Sequence, residues 1–289
     1  MTKPDLRVLA RPSGAFAMLA VDQREGLRAM MAERGGGPVT DVQMSDFKMA
    51  ALRALTPHAS AALLDRALAW DRALAEGAVA PGCALIAAAD ELLPGPGELL
   101  ADSRIDEELD PAHVRAGGGV ALKLLIVWRP DGDPVIRTAL VDDFVARCRA
   151  ANLLSIVEPV CRAPRDGRAF DLADGILPAA RELGGRGADL YKAEMPLFGQ
   201  GAEAEVRRAC AELTRIVDGP WVVLSSGVAP NAFPRAVEWA CREGASGFLA
   251  GRAVWRTTLS APDVEVALRD DAVPRLRRLC DVVDRIIRA

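Results

Sequence analysis

Short apolar runs alternate with longer amphipathic stretches along most of the chain. The apolar runs contain few polar residues, which is typical of strands that are covered on both faces of a parallel sheet. The predicted strands are FAMLAV (16–21), ASAALL (59–64), CALIAA (83–88), VALKLLIVW (120–128), LLSIVE (153–158), DLYKAEM (189–195), WVVLSS (221–226) and SGFLAG (246–251). These runs predict a sheet of eight strands.

The stretches between the strands carry helical patterns. The predicted helices include TDVQMSDFKMAALRALT (40–56), DPVIRTALVDDFVARCRAAN (133–152), PNAFPRAVEWACREG (230–244) and the tail VPRLRRLCDVVDRIIR (273–288). Strands that alternate with helices predict a parallel sheet, and eight such units in about 250 residues match an α/β fold of the (β/α)8 TIM barrel type. An open, doubly wound sheet is the alternative.

No linker divides the chain, so the sequence predicts a single barrel domain over residues 1–289. Glycine and proline cluster at 93–100 (LPGPGELL), and polar residues with glycine and proline cluster at 161–169 (CRAPRDGRA). Both stretches are predicted to be loops. Neither is long enough to separate two domains.

Charge and composition exclude several classes of function. The net charge is -4, with both signs spread along the chain, and no basic block suggests a nucleic acid or a membrane surface as partner. The longest apolar run is interrupted by Lys123 and is too short to span a bilayer. The first residues lack the apolar core of a signal peptide. These features predict a soluble, cytoplasmic protein.

The six cysteines and two histidines limit metal and redox chemistry. No two cysteines have the spacing of metal ligands or of a redox pair, so we expect reduced thiols that mostly pack in the core. Only His58 and His113 are available, which argues against a His-rich zinc site. Neither histidine has a nucleophile elbow to serve in a Ser-His-Asp triad. The sequence therefore predicts no metal and no other cofactor.

Polar residues collect where the predicted strands end, which is where the active site of such a barrel lies. These residues are Asp22, Gln23 and Arg24 (strand one), Asp65 (two), Glu158 (five), Lys192 and Glu194 (six), Ser226 and Gly227 (seven) and Gly251 and Arg252 (eight), with Lys123 inside strand four. Buried charges are costly unless they are paired. The pattern therefore predicts a polar site, unless a misplaced strand leaves some of these side chains in solvent.

The last two predicted strands end in turns that suit a phosphate group. The segments LSSGV and FLAGRAVW each contain a glycine, which lets backbone N–H groups approach an anion. Ser226 can donate its hydroxyl proton, and Arg252 can bind two oxygens. Barrels often bind phosphate between these two loops. The alternative is a pair of ordinary turn glycines with a surface arginine.

The segment GADLYKAEMP places a lysine within a predicted strand. Alternation puts Leu190, Lys192 and Glu194 on one face. If both faces are covered, desolvation and the nearby Lys123 favour a neutral amine at Lys192. A neutral amine attacks a ketone and forms a Schiff base that allows a neighbouring C–C bond to break, with Glu158 as the proton carrier. The alternative is an edge strand with Lys192 in water.

Five segments, in this order and over nearly the whole chain, resemble class I aldolases of the tagatose-bisphosphate aldolase type. The segments are MLAVDQREGLRAMM, LLSIVEPV, GADLYKAEMPLFG, LSSGV and GASGFLAGRAVW. Within the family, VDQREG, LLDRALAW and FPRAVEWA are most similar to the branch that cleaves 6-deoxy-6-sulfofructose 1-phosphate in sulfoglycolysis, the degradation of sulfoquinovose.

The resemblance implies a metal-free (β/α)8 barrel in which Lys192 forms the Schiff base and Glu158 is the acid and base. It implies that Lys123 contacts the substrate hydroxyls. The residues that it places over the substrate are Asp22, Gln23 and Arg24. The residues that it assigns to the phosphate of the dihydroxyacetone phosphate half are Ser226, Gly227, Gly251 and Arg252.

The implied products are dihydroxyacetone phosphate and 3-sulfolactaldehyde, with Asp22 or Glu158 as the base at the C4 hydroxyl. Cleavage of tagatose 1,6-bisphosphate is the alternative, and it differs by a phosphate ester in place of the sulfonate. A sugar-phosphate-binding regulator is less expected, because such a protein need not retain Lys192 and Glu158. We expect a homo-oligomer, as is usual for soluble enzymes.

Overall fold

The computed structural model of the protein describes residues 4–35 and 37–287. Its strands are β1 (Phe16–Ala20), β2 (Ala61–Leu64), β3 (Ala84–Ala88), β4 (Asp90–Gly95), β5 (Glu98–Ile105), β6 (Gly119–Trp128), β7 (Leu154–Cys161), β8 (Leu190–Ala193), β9 (Trp221–Val223) and β10 (Gly247–Ala250). All except β4 and β5 close into a parallel barrel in the order β1-β10-β9-β8-β7-β6-β3-β2. The eight predicted strands and the TIM barrel are thereby confirmed, and the open sheet is excluded.

Helices lie between consecutive barrel strands. The α-helices are α1 (Glu25–Gly35), α2 (Asp41–Leu55), α3 (Asp71–Ala75), α4 (Pro111–Ala116), α5 (Pro134–Ala150), α6 (Ile176–Leu183), α7 (Glu203–Ile216), α8 (Phe233–Arg242), α9 (Arg252–Trp255), α10 (Val264–Ala267) and α11 (Val273–Ile287). Short 3-10 or π segments span Leu6–Leu9, Thr56–His58, Arg66–Trp70, Leu172–Gly175, Pro196–Gly199, Arg256–Ser260 and Leu268–Ala272. The four predicted helices are observed as α2, α5, α8 and α11, with residue 288 outside the described range.

Alternation along the strands separates two apolar layers. Inward side chains such as Met18, Leu63 and Ile156 fill the base of the barrel, whereas outward side chains such as Leu19 and Tyr191 pack beneath the helices. Toward the carboxyl ends of the strands, the inward positions change from apolar to charged. The polar site therefore lies at that end of the barrel, as predicted.

The stretch 93–100, predicted to be a loop, belongs instead to a β-hairpin. Strands β4 and β5 pair antiparallel, beginning with Asp90 opposite Ile105. The two turn residues are Pro96 and Gly97, and the φ of 74° at Gly97 is a left-handed conformation that glycine adopts readily. The prediction was wrong because a proline–glycine pair also marks the turn of a hairpin. Side chains of this hairpin line one side of the site cavity.

The second predicted loop and the expected free cysteines are both observed. Residues 162–169 have no regular structure, although Cys161 is still the last residue of β7. All six cysteines are free thiols, and five of them are buried. Within residues 4–35 and 37–287, no helix has the length and apolar character needed to cross a bilayer.

Candidate active site

A cavity of about 1480 Å³ opens at the carboxyl ends of the barrel strands. The predicted catalytic residues all line it, and they are Lys192, Glu158, Lys123 and Asp22. The predicted substrate contacts that line it are Gln23, Arg24, Ser226 and Arg252. Gly227 and Gly251 directly follow and precede two of these lining residues in the chain. Residues that are far apart in the sequence are thus brought into one cavity, and their individual roles remain predictions.

Lys192 lies inside the barrel on β8 and is only 4% exposed. Leu190, on the same face, belongs to the apolar base of the barrel, whereas Tyr191 and Ala193 pack beneath the helices. The Nζ atom of Lys192 lies 2.7 Å from Oε1 of Glu158. A solvent-exposed lysine on an edge strand is therefore excluded.

Three carboxylates surround the amine of Lys123 on β6. Its Nζ lies 2.7 Å from Asp22 Oδ2, 2.6 Å from Asp90 Oδ2 and 3.1 Å from Glu158 Oε2. Burial alone lowers the pKa of Lys123, but the three carboxylates outweigh burial and raise that pKa well above its usual value. Lys123 is therefore held as an ammonium ion.

Asp22, which follows β1, is held in its ionised form by the same network. Burial raises the pKa of Asp22, but Lys123 and Lys192 outweigh burial and hold that pKa below its usual range. A carboxylate stabilised in this way is a weak base. Asp22 is therefore better suited to accept a hydrogen bond from a substrate hydroxyl than to remove its proton.

The two site lysines differ in the number of carboxylates that surround them. Lys192 is paired with one carboxylate, so transfer of its proton to Glu158 leaves two neutral groups and no isolated buried charge. The same transfer from Lys123 would leave Asp22 and Asp90 without the cation that they share. The geometry therefore favours Lys192 as the nucleophilic amine.

Asp90, the first residue of β4, is a site residue that sequence reasoning missed. Its Oδ2 atom accepts hydrogen bonds from Lys123 Nζ at 2.6 Å and from Leu125 N at 3.0 Å, and the residue is almost completely buried. A signal was present, since Asp90 follows the third apolar run as Asp22 and Asp65 follow the first two.

Arg24, predicted to lie over the substrate, is bonded to Asp90. One terminal nitrogen of Arg24 pairs with Asp90 Oδ1, and the other donates a hydrogen bond of 2.6 Å to the backbone oxygen of Asp90. The loop after β1 is thereby tied to the base of the β4–β5 hairpin. In this arrangement both terminal nitrogens of Arg24 already have a protein partner.

The two predicted phosphate turns lie side by side because β9 pairs with β10. Arg252, the first residue of α9, is half-buried, and no carboxylate of the described residues is paired with it. Burial lowers the pKa of Arg252, and a bound anion would supply the missing counter-charge.

Next to this turn, Gln23 Oε1 is buried without a hydrogen-bond partner among the described residues. The side-chain nitrogen of Gln23 lies 3.1 Å from the place where a Cβ on Gly251 would be.

A strained loop after β8 packs against the turn that follows β9. Leu197 and Phe198 both have left-handed backbone, with φ of 53° and 48°, which costs on the order of 1 kcal/mol or more for each such residue. A ring carbon of Phe198 lies 2.2 Å from the place where a Cβ on Gly227 would be, and φ at Gly227 is 75°. Gly227 is thus required both by its backbone conformation and by the ring. The loop that follows the strand of Lys192 is thus in contact with the predicted phosphate turn.

A second buried ion pair lies behind the cavity wall. Lys48, on α2, is fully buried and pairs with Asp65, which follows β2 and lines the cavity. The other carboxylate oxygen of Asp65 accepts a hydrogen bond of 2.8 Å from Leu68 N. Burial lowers the pKa of Lys48, although Asp65 opposes that shift. Sequence reasoning missed Lys48 because one lysine in an amphipathic helix resembles an ordinary surface residue.

Glu194, just beyond β8, is a further buried acid beside the site. Its Oε2 atom accepts a hydrogen bond of 2.8 Å from Cys161 N. Burial raises the pKa of Glu194 to about 7, although the bond from Cys161 and the charge of Arg162 oppose the shift. This carboxyl group therefore changes its charge near neutral pH.

The acidic residues of the site converge on an amine. Asp22, Asp90 and Glu158 all lie within 3.1 Å of Lys123 Nζ. Within the described ranges 4–35 and 37–287, no three His, Cys, Asp or Glu side chains are grouped so as to hold a metal ion.

The sequence matches known aldolases over most of its length. The profile described as DeoC/LacD family aldolase matches residues 16–257. The chain is 28% identical over 279 residues to a tagatose 1,6-diphosphate aldolase of Listeria monocytogenes serotype 4a (strain HCC23), covering 86% of this chain and 80% of the relative. It is 27% identical over 269 residues to tagatose 1,6-diphosphate aldolase 1 of Streptococcus pyogenes serotype M3 (strain SSI-1), covering 84% and 81%.

The fold is also similar to solved structures. An archaeal fructose-1,6-bisphosphate aldolase, whose catalytic lysine is covalently bound to the carbinolamine intermediate of the substrate, aligns with a TM-score of 0.65 at 16% identity, over 96% of this chain and 97% of that chain. A protein of Corynebacterium glutamicum aligns with a TM-score of 0.66 at 15% identity, over 99% and 88%. At these identities the similarity concerns the barrel fold.

The raised pKa of Glu194 makes stability depend on pH. From its ordinary value of 4.5 up to about 7, the unfolded chain releases a proton that the folded chain retains, so this residue lowers the free energy of unfolding as pH rises. Glu194→Gln keeps the acceptor for Cys161 and cannot ionise. Relative to the parent, we expect the free energy of unfolding of this variant to increase by on the order of 3 kcal/mol between pH 5 and pH 8.

Urea unfolding of the parent and the Glu194→Gln variant at both pH values measures this difference. Glu205→Gln, which removes an exposed carboxylate on α7, corrects for the loss of one negative charge. A Glu194→Gln difference that stays constant, or that falls as pH rises, would contradict the burial of an ionisable group at this position.

Replacing one partner of the buried pair Lys48–Asp65 should destabilise the protein much more than replacing both partners. Lys48→Met leaves the Asp65 carboxylate buried without its cation, which should cost about 3–5 kcal/mol of unfolding free energy. Lys48→Met/Asp65→Asn should recover most of that loss, because the amide still accepts the hydrogen bond from Leu68 N. Urea unfolding of the three proteins tests this, and a double variant as unstable as the single one would show that the ion pair does not dominate.

Proposed function

The chain belongs to the DeoC/LacD family of aldolases, and we propose that it is a class I lyase that forms its Schiff base on Lys192. The position of Glu158 is the observation that carries this proposal. Its two carboxylate oxygens lie 2.7 Å from Lys192 Nζ and 3.1 Å from Lys123 Nζ. One carboxylate therefore contacts both the amine that must lose a proton and the amine that keeps its charge.

Formation of the Schiff base begins with proton transfer from Lys192 to Glu158. The neutral amine attacks the C2 ketone of the substrate, and the carbinolamine that forms carries a hydroxyl group. Protonated Glu158 then donates its proton to this hydroxyl, which leaves as water. The products of this step are a protonated imine on Lys192 and an ionised Glu158.

Cleavage of the C3–C4 bond uses the same carboxylate. Ionised Glu158 removes the proton of the C4 hydroxyl, the C3–C4 electrons move into the imine, and an aldehyde leaves. Protonated Glu158 then returns its proton to C3 of the enamine, and water hydrolyses the imine. Lys123 stabilises the negative charge that develops on the C4 oxygen, and Asp22, a weak base, orients the hydroxyl.

The substrate that we propose is 6-deoxy-6-sulfofructose 1-phosphate, with dihydroxyacetone phosphate and 3-sulfolactaldehyde as products. The ketone-side phosphate would bind at the turns after β9 and β10, where Arg252 has no carboxylate partner among the described residues. A sulfonate carries one negative charge, and a phosphate ester carries roughly 1.5–2. The cavity also contains acids such as Glu91, Asp106 and Glu108. Each of these acids is paired with an arginine of the cavity. The pairs leave little positive charge to compensate a dianion, so a monoanion is favoured, since Coulomb energy scales with charge.

Cleavage of tagatose 1,6-bisphosphate is the second candidate. The matched proteins of Listeria and Streptococcus are tagatose 1,6-diphosphate aldolases, which favours this substrate. A non-catalytic regulator is less favoured, because Lys192 and Glu158 are both present and in contact. The two enzymatic candidates share every step at C2, C3 and C4 and differ only at C6.

We also propose that the protein acts in the cytoplasm, as a homo-oligomer of single barrel domains that each span the chain. Free cysteines are typical of a reducing compartment. Closed symmetric assemblies are usual among soluble enzymes. The mechanism proposed here uses no metal and no other cofactor, since the imine itself withdraws the electrons.

The proposed substrate should be cleaved with about tenfold or higher kcat/KM than tagatose or fructose 1,6-bisphosphate, because one distal charge is repelled less than two. A coupled assay of dihydroxyacetone phosphate release, with EDTA present throughout, measures the three values. Lys192→Met serves as the inactive control. Equal or better cleavage of tagatose 1,6-bisphosphate would move the protein to the second candidate, and full activity of Lys192→Met would reject the Schiff base.

A further inference from the structure

Five arginines line the cavity, and three of them are paired with carboxylates. The pairs are Arg24 with Asp90, Arg66 with Asp106 and Glu108, and Arg104 with Glu91. Among the residues that the structure describes, the other two, Arg162 and Arg252, have no carboxylate partner. Arg252 is already assigned to the turn for the ketone-side phosphate. Arg162 therefore remains as a cation that forms no ion pair within the described residues, although its charge acts on Glu194.

Arg162 is held by its backbone and by one edge of its guanidinium. Its backbone N donates a hydrogen bond of 2.9 Å to Trp128 O, and its Nη1 donates one of 2.8 Å to Cys161 O. The Nε and Nη2 groups make no hydrogen bond to the described part of the chain. These two N–H groups form the fork that binds two oxygens of one anion.

The strand order places Arg162 and Arg252 on opposite sides of Lys192. β8, which carries Lys192, has β7 as one neighbour, whereas β9 and then β10 follow on the other side. Arg162 comes directly after β7, and Arg252 comes after β10. An open-chain ketose joined through C2 to Lys192 would thus be attached between the two arginines in the strand order.

The surroundings of Arg162 suit an anion with a single charge. The cavity residues near it in the chain are Val160, Ala163, Phe170 and Leu172. Glu194 lies close enough for the charge of Arg162 to act on its pKa. One guanidinium beside an acid can neutralise at most one negative charge of a ligand, whereas a dianion would remain partly uncompensated. A sulfonate matches this arrangement better than a phosphate ester does.

We infer that Arg162 binds the anionic group at the end of the substrate remote from the ketone-side phosphate and favours a sulfonate there. This inference rests on the proposed function, because it requires a ketose 1-phosphate linked to Lys192. It identifies the residue that distinguishes the two candidate substrates. Arg24, by contrast, is occupied by Asp90.

The test compares substrates with and without the distal anion. The kcat/KM values for 6-deoxy-6-sulfofructose 1-phosphate, fructose 1,6-bisphosphate and fructose 1-phosphate are measured for the wild type, Arg162→Gln and Arg162→Lys. The matched control is Arg165→Gln, which removes the same charge from the same loop at an exposed position outside the cavity lining. Each protein is characterised by its ratio of kcat/KM for an anionic-tail substrate to kcat/KM for fructose 1-phosphate, which cancels losses common to both.

Arg162→Gln should lower the ratio for the sulfonated substrate on the order of 30-fold, since it removes two charge-assisted hydrogen bonds. Arg162→Lys should recover part of the loss, and Arg165→Gln should leave the ratio unchanged. An unchanged ratio in Arg162→Gln would overturn the inference, whether both activities fall or neither does. If the wild type cleaves the bisphosphate and rejects the sulfonate, the proposed substrate and the sulfonate preference are wrong, and the bisphosphate ratio then decides separately whether Arg162 binds the distal anion.

Discussion

The carboxylate of Glu158 lies between two buried amines, 2.7 Å from Lys192 Nζ and 3.1 Å from Lys123 Nζ, and the chemistry of the site depends on this arrangement. Two cations this close would repel each other strongly in a buried site without an anion between them. Because Asp22 and Asp90 also contact Lys123, that lysine stays charged when Glu158 takes up a proton. The network therefore leaves one amine, Lys192, free to become a nucleophile.

The barrel produces this arrangement because the inward-facing side chains change from apolar to charged along its strands. Near the base, the inward positions carry apolar side chains that hold the strands together. Nearer the carboxyl ends, the same faces carry the charged residues, so each charge is supported by a packed layer beneath it. Lys192, for example, follows Leu190 on the inner face of β8, and Glu158 follows Ile156 on β7. The ion pairs also restrain the site: the bond between Arg24 and Asp90 joins the loop after β1 to the base of the β4–β5 hairpin.

The sequence predicted those features that depend on positions within a single strand. The apolar runs predicted eight strands, and the polar residues at their ends predicted the lysines and Glu158, because alternation is a local property. Contacts between strands could not be predicted. The approach of Asp90 to Lys123 depends on the register of β3 against β6, where Ala88 lies opposite Lys123, and no local pattern encodes that alignment. The pairing of Arg24 with Asp90 depends on tertiary packing in the same way, whereas the turn of the β4–β5 hairpin has a local signal in its proline–glycine pair.

The division of roles between the buried lysines can be measured directly with dihydroxyacetone phosphate, which forms the imine, and sodium borohydride, which reduces that imine to a stable amine adduct on the lysine that formed it. The chain has only four lysines, Lys3, Lys48, Lys123 and Lys192, so peptide mass mapping identifies the modified one without ambiguity. A single adduct on Lys192 is the expected result, with loss of activity in proportion to labelling. An adduct on Lys123 would contradict the account, because that amine could not then be the one held as an ammonium ion.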